Sequence, residues 1–333
     1  MERLGYIDIV KFIGIFLMVL CHAGMHNGAT SVIYAFHMPL FFFISGYMFN
    51  PKKKRKVSSI LKSKGKAVLI PYFIFALILC FGTRKMADWP LLIYGSRDAL
   101  HAASSFTPLW FLPCFFLSTV FFQTIAQLKM RSEILFAIAV IGCSVLGFVL
   151  SFYRTHLQYG FPWNFDTALV GVGIMYLGYI TRKVNVVERL NYVWGGVILI
   201  IGAGMSFFNL PESLTQGNPH VEMSVSSYGN PVLFTLNLSL LCVAIVILAR
   251  EIENRWEGAV LKKLQFYGAN TIIILCVHGS ILKFFQLTLK SFHFEGTIYA
   301  LVMTLVCFAL LPPIIKFINS EMPNIVGRDK VEK

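Results

Sequence analysis

The chain has 333 residues and a formal net charge of +13, yet 56% of its residues are hydrophobic, only 14% are charged, and the mean hydropathy is +0.69. Apolar runs of about 18 residues recur along it, which excludes a soluble globular enzyme and a disordered chain and points to an all-α integral membrane protein. The positive charge falls in the short segments between these runs, so it argues for a membrane orientation and not for a nucleic-acid partner.

Met1 to Gly5 leads into the first apolar run without a small-residue cleavage site, so this run reads as a retained helix and not as a removed signal. Ten spans are predicted, at about 7–25, 31–49, 67–83, 108–127, 134–152, 164–182, 193–209, 230–249, 269–287 and 296–318. In the first, Asp8, Lys11, Ile15, Met18 and His22 follow 3–4 spacing and share one helix face. Lys11 and His22 lie eleven residues apart, about 16 Å along a helix. An i,i+3 pair of Asp8 with Lys11 and a helix-to-helix hydrogen bond from His22 would account for these groups structurally. A site is the other reading, because an ionisable group inside a membrane helix costs free energy unless it is partnered.

In the second span, "SVIYAFHMPLFFFISGYMF", Pro39 removes a helical hydrogen bond and clashes with the preceding turn, so the helix is expected to bend or begin near His37. That places His37 at the end His22 approaches. Ser45 and Gly46, toward the other end, permit either close helix packing or passage of a thin ligand. His22, His26 and His37 invite a zinc reading, but residues 26–37 hold no carboxylate to support one and the HxxxH spacing lacks the HExxH context. Acid–base chemistry suits imidazole groups better, and no metal is expected.

The loop at 51–66 opens with "PKKKRK", and with 128–133, 182–189, 250–265 and the C-terminal tail it holds most of the 29 Lys and Arg residues. The positive-inside rule then puts these loops and both termini in the cytoplasm. The seven cysteines lie in or beside spans without CxxC spacing and read as packing residues. The longest non-apolar stretches, about 84–107 and 210–229, are too short for a core, so residues 1–333 are expected to form a single transmembrane domain with no separate soluble one.

The successive blocks "YIDIVKFIGIFLMVLCHAG", "FHMPLFFFISGYMF", "KGKAVLIPYFIF", "PLWFLPCFF", "PWNFDTALVGVGIMYLGYI" and "FYGANTIIILCVHGSI" resemble, in order, those of the acyltransferase-3 family of membrane acyltransferases, nearest its fucose 4-O-acetylase-like branch. The resemblance implies an O-acyltransferase of the bacterial cell envelope, in the inner membrane. It would move a short acyl group, usually acetyl from acetyl-CoA, to a hydroxyl of an extracytoplasmic or lipid-linked sugar. The family's first-helix histidine matches His22. Its preceding basic residue matches Lys11, where arginine is common, and lysine keeps the charge but loses the bidentate fork. A basic pair before the third span falls among Lys62, Lys64 and Lys66, where ordinary inside-facing charge is the rival reading. His278 matches a family histidine.

On this reading the CoA phosphates sit near Lys11, Lys62 and Lys66, the pantetheine arm passes Ser45, and the thioester reaches His22, acting as general base or transient acyl carrier. His37 would orient His22 or hold the acceptor. Asp166, Trp110 and His278 are the acceptor-side candidates, against helix capping, an aromatic belt and helix-to-helix hydrogen bonding. Acyl-CoA, a glycan or lipid-linked sugar, and membrane lipids are the expected partners. A transporter or flippase for a lipid-linked sugar is the rival, since interrupted spans with interior polar groups suit it too. A structural or sensing subunit, for which His22 would be dispensable, is a third.

Overall fold

The computed structural model describes residues 4–25, 28–51, 55–82, 86–104, 107–127, 132–211, 219–288 and 296–328. His26 and the lysines at 52–54 lie outside them. In chain order the α-helices are α1 (Gly5–His22), α2 (Gly28–Phe36), α3 (Pro39–Tyr47), α4 (Val57–Lys64), α5 (Ile70–Gly82), α6 (Trp89–Tyr94), α7 (Arg97–Ser104), α8 (Phe111–Ile125), α9 (Glu133–Tyr153), α10 (Phe165–Lys183), α11 (Val186–Arg189), α12 (Tyr192–Met205), α13 (Pro231–Arg255), α14 (Ala259–Gly268), α15 (Thr271–Thr288) and α16 (Thr297–Glu321). Among the described residues the β pairing is one isolated bridge between Glu222 and Ser227.

The protein is an all-α, multi-pass membrane protein. Among the described residues eight helical stretches are long and apolar enough to cross a bilayer: Gly5–His22, Gly28–Tyr47, Val57–Gly82, Thr107–Ile125, Glu133–His156, Pro231–Arg255, Thr271–Thr288 and Thr297–Glu321. Each overlaps an expected span, but Val57–Gly82 begins ten residues before the expected 67–83, because residues 57–66, expected as loop, are helical and run on into it. The other two expected spans are helical but outside this group. α10 carries Asp166, Arg182 and Lys183 at its ends, which dilute its apolar character, and the apolar helix Tyr192–Phe208 is shorter than the others.

Two breaks interrupt the regular helix. Pro39 occupies the first position of α3, where a missing N–H costs nothing, and α2 ends three residues earlier at Phe36. The second is a π-turn at Gly65–Leu69 that joins α4 to α5 within one spanning stretch.

The chain forms two compact units. One comprises Met1–Tyr47, Leu177–Met223 and Ser227–Pro312; the other comprises Met48–Tyr176, Ser224–Ser226 and Pro313–Lys333. In the first, α1 runs against α13, α14 and α15, and α12 lies along α13. Glycines set the closest approaches. A Cβ at Gly202 would come 2.8 Å from Leu241 Cδ2, one at Gly178 would overlap the Phe43 carbonyl, and one at Gly268 would overlap the Asp8 carbonyl. Phe12 of α1 fills the neighbouring space, stacked on Tyr267 at 5.9 Å and edge-on to Phe308 at 5.8 Å, while Tyr267 Oη donates to Phe308 O at 2.7 Å.

Gly268→Val is therefore expected to push α14 off α1 and lower the melting temperature of the purified protein, with a cost of about 1–3 kcal/mol for overpacking. Gly204→Ala serves as its control, because nothing lies within 4 Å of a Cβ there. Equal melting of Gly268→Val and the parent would show that this approach is not tight.

In the second unit, α9 meets the first half of α10 at Gly147, where a Cβ would lie 2.7 Å from the Asp166 carbonyl. Ser118 Oγ of α8 donates to Ala168 O at 2.8 Å. The short helices α6 and α7 are tied down by side chain to backbone bonds: Tyr72 Oη to Leu92 O at 2.6 Å, Trp163 Nε1 to Ile93 O at 2.7 Å, and Tyr94 Oη to Gly160 O at 2.6 Å. Burial holds the Tyr94 phenol above its ordinary pKa, against the pull of the Arg154 guanidinium, so it remains a donor.

Candidate active site

The first unit gathers imidazoles. His22 is the last residue of α1 and half-buried; His278, inside α15, is 0% exposed. His22 Nδ1 and His278 Nε2 are 2.9 Å apart across 256 residues of sequence, and His278 Nδ1 lies 2.9 Å from the Ile274 carbonyl one turn back. His37 is buried in the turn between α2 and α3, with Nδ1 2.8 Å from Ile33 O, the same carbonyl that accepts from its backbone N–H at 2.9 Å. His37 and His278 both lie within electrostatic reach of His22. Tyr34 joins this group to a fourth imidazole, with its ring edge-on to His37 at 5.0 Å and 4.2 Å from that of His220. The His220 segment is fixed to α2 by Ser31 Oγ, which donates to Pro219 O at 3.1 Å.

Nearer the start of α1, Lys11 Nζ pairs with Asp8 Oδ1 at 3.2 Å; Asp8 is buried, while the Lys11 side chain is 33% exposed. The unbroken helix between Lys11 and His22 keeps their separation at about 16 Å. Ser45 is half-buried in α3, beside the buried Gly46.

The remaining candidates belong to the second unit. Lys62 is exposed on α4, and Lys64 and Lys66 are half-buried, the latter in the π-turn. Trp110 closes a 3-10 turn ahead of α8 and is buried, edge-on to Phe111 at 6.0 Å, so its face packs on protein. Asp166, in the first turn of α10, is 0% exposed. Its Oδ2 accepts from Ser226 Oγ and lies 3.6 Å from Arg154 Nη1, while Arg154 Nη2 donates to Asp98 Oδ2 at 2.8 Å. In this conformation the Asp166 carboxylate is directed at protein groups rather than at solvent.

Asn164 braces the same corner. It is fully buried with a left-handed φ of +49°, directly after Trp163 at +55°. Its Oδ1 accepts from Arg97 N at 2.9 Å and its Nδ2 donates to Ser224 O at 2.6 Å. Two adjacent non-glycine residues in that region cost of order 1–3 kcal/mol each, so these bonds hold a strained turn.

The structure brings His22, His37 and His278 into one unit, with His22 and His278 in direct contact. Sequence reading did not single out His220, Tyr34, Asp98, Arg154 or Ser226. Arg154 alone left a signal, as a charge just beyond the fifth apolar run. Among the described residues no three histidine, cysteine or carboxylate side chains come together as a metal site.

The family model described as an acyltransferase domain, Acyl_transf_3, matches residues 4–312. The chain belongs to the acyltransferase-3 family. No curated relative and no solved structure matches it. The match makes the protein a membrane acyltransferase, and it takes in the acyltransferase's first-helix histidine and lysine, the proline break and His278.

Proposed function

We propose that the acyltransferase takes an acetyl or other short acyl group from acyl-CoA on the cytoplasmic side and transfers it to a hydroxyl of an extracytoplasmic or lipid-linked sugar. The observation that carries this reading is the His22–His278 pair inside membrane-spanning helices, with Lys11 about 16 Å away along the same helix. An alcohol is a poor nucleophile until its proton is removed, and a neutral imidazole near the membrane interior is suited to remove it. As the hydroxyl oxygen bonds to the acyl carbon, the C–S bond breaks and the CoA thiolate takes up the proton. A route through an acyl-imidazole on His22 uses the same geometry in two steps. The basic loops, cytoplasmic by the positive-inside rule, support a donor that enters from the cytoplasm and an acceptor that meets it from the other side. We place the enzyme in a bacterial inner membrane and assign the acceptor to the cell-envelope glycans.

The test is to incubate purified protein in lipid nanodiscs with acetyl-CoA labelled in the acetyl group and with lipid-linked or polymeric glycans. Label recovered as a base-labile ester on the glycan is the expected result. Intact thioester after prolonged incubation, together with movement of a lipid-linked sugar across the bilayer, would assign transport instead.

Lys11→Ala is expected to raise the KM for acetyl-CoA about tenfold, the order of one lost hydrogen bond to a charged group, with kcat little changed. Lys11→Arg should behave as the parent, because it keeps the charge. An unaltered KM in Lys11→Ala would leave Lys11 as an anchor paired to Asp8.

A further inference from the structure

The hydrogen bond between His22 and His278 has a direction, and a backbone carbonyl sets it. His278 Nδ1 faces Ile274 O at 2.9 Å. A carbonyl only accepts, so Nδ1 carries the hydrogen, and in the neutral ring Nε2 is then an acceptor. Nε2 is the atom that meets His22 Nδ1 at 2.9 Å, so His22 Nδ1 donates and the His22 lone pair resides on Nε2.

The ring geometry agrees. The planes are 15° apart and the centroids 5.2 Å apart. With facing nitrogens at 2.9 Å, so long a centroid separation requires both nitrogens to lie between the ring centres. The rings therefore meet edge to edge in nearly one plane, the alignment a strong N–H···N bond prefers. His22 Nε2 has no hydrogen-bond partner among the described residues, and His22 is the half-buried member of the pair.

We propose that His278 is a positioning residue: the chain Ile274 carbonyl, His278, His22 fixes His22 in the tautomer with hydrogen on Nδ1 and presents Nε2 as the reacting atom. When Nε2 takes the proton of the acceptor hydroxyl, or bonds to the acyl carbon, the positive charge formed on the ring is stabilised through Nδ1–H by the lone pair of His278. The role is that of an orienting group behind a catalytic base, filled by a second imidazole where a carboxylate is more familiar. It is also why a fully buried imidazole sits in α15.

The catalytic consequence rests on the acyl-transfer reading; the tautomer does not. The experiment is nitrogen-15 NMR of protein carrying labelled histidine, with the His22 signals assigned by their loss in His22→Asn, alongside acetyl-transfer kinetics. In the parent, His22 is expected to show a protonated Nδ1 and a bare Nε2. In His278→Leu, which offers no acceptor, the His22 signals should shift toward the Nε2–H form, and kcat should fall about 10²-fold or more, a loss of the kind seen when a base is held in the wrong tautomer. The acetyl-CoA KM should stay within about twofold, since His278 is not at the CoA-binding end. His278→Gln, whose carbonyl oxygen can accept from His22 Nδ1, should restore much of both.

A parental His22 with hydrogen on Nε2, or His278→Leu with parental signals and kcat, overturns the proposal. If His278→Leu does not fold, the parental spectrum and His278→Gln decide it. Should His22→Asn still transfer acetyl, the acyl-transfer role of His22 fails while the tautomer measurement stands. Should His22→Asn be inactive with the parental His22 protonated at Nε2, only the positioning role fails.

Discussion

Replacing His22 by asparagine is expected to reduce acetyl transfer by at least about 10²- to 10⁴-fold, the usual contribution of a positioned acid–base group, in a protein that still inserts and folds. The amide has a donor to offer His278 Nε2, so the hydrogen bond that ties the end of α1 to α15 can survive, but it has no basic nitrogen at neutral pH. Packing changes little, because the apolar burial of α1 comes from Ile7, Ile9, Val10, Ile15, Met18 and Val19. The checks are release of labelled acetate from the glycan product, and gel filtration and thermal melting of the same preparation. A His22→Asn protein that acetylates at the parental rate would make this histidine a packing group and move the search for the base to His37.

The second large effect is on stability. Arg154→Met is expected to cost about 3–5 kcal/mol, the order found when one partner of a buried ion pair is removed. Arg154 reaches Asp98 Oδ2 at 2.8 Å and Asp166 Oδ2 at 3.6 Å, and the Asp166 side chain is 0% exposed, so without the guanidinium its charge would be stranded beside Ser226 alone. Gly160 packs its backbone against the guanidinium, 2.7 Å from an added Cβ to Arg154 Cζ, so the tip of the side chain is held as well as paired. Arg154→Met combined with Asp166→Leu should be less damaging than Arg154→Met alone, because the stranded charge goes with its partner. Thermal melting of purified protein reads both. Parental melting of Arg154→Met would show that the network contributes no stability, and an acceptor KM that rises in folded Asp166→Asn would return this carboxylate to acceptor binding.

Much of this protein was legible without coordinates because hydrocarbon is a demanding solvent. A spanning segment must satisfy its backbone within itself and keep an apolar surface, so the apolar runs are helical, and eight of them overlap stretches long and apolar enough to cross a bilayer. The break at Pro39 and the Asp8–Lys11 pair were equally open to prediction, one from ring geometry and the other from i,i+3 spacing. His22, His37 and Lys11 stood out because ionisable groups in apolar helices are expensive.

What joins those groups was not local. Nothing in the residues around His22 selects His278 over another polar group on another helix; that choice is made by the way α15 packs on α1. The acidic end of α10 was visible as Asp166, but its partners come from 154 and 226, and the second carboxylate on Arg154 comes from 98, segments that only the folded chain brings together. His220 lay unremarked in a polar stretch until Tyr34 was seen between it and His37. Hydropathy is a property of each segment and its solvent, whereas a histidine pair and a buried ion network are properties of residues far apart in sequence, and their members meet only through tertiary packing.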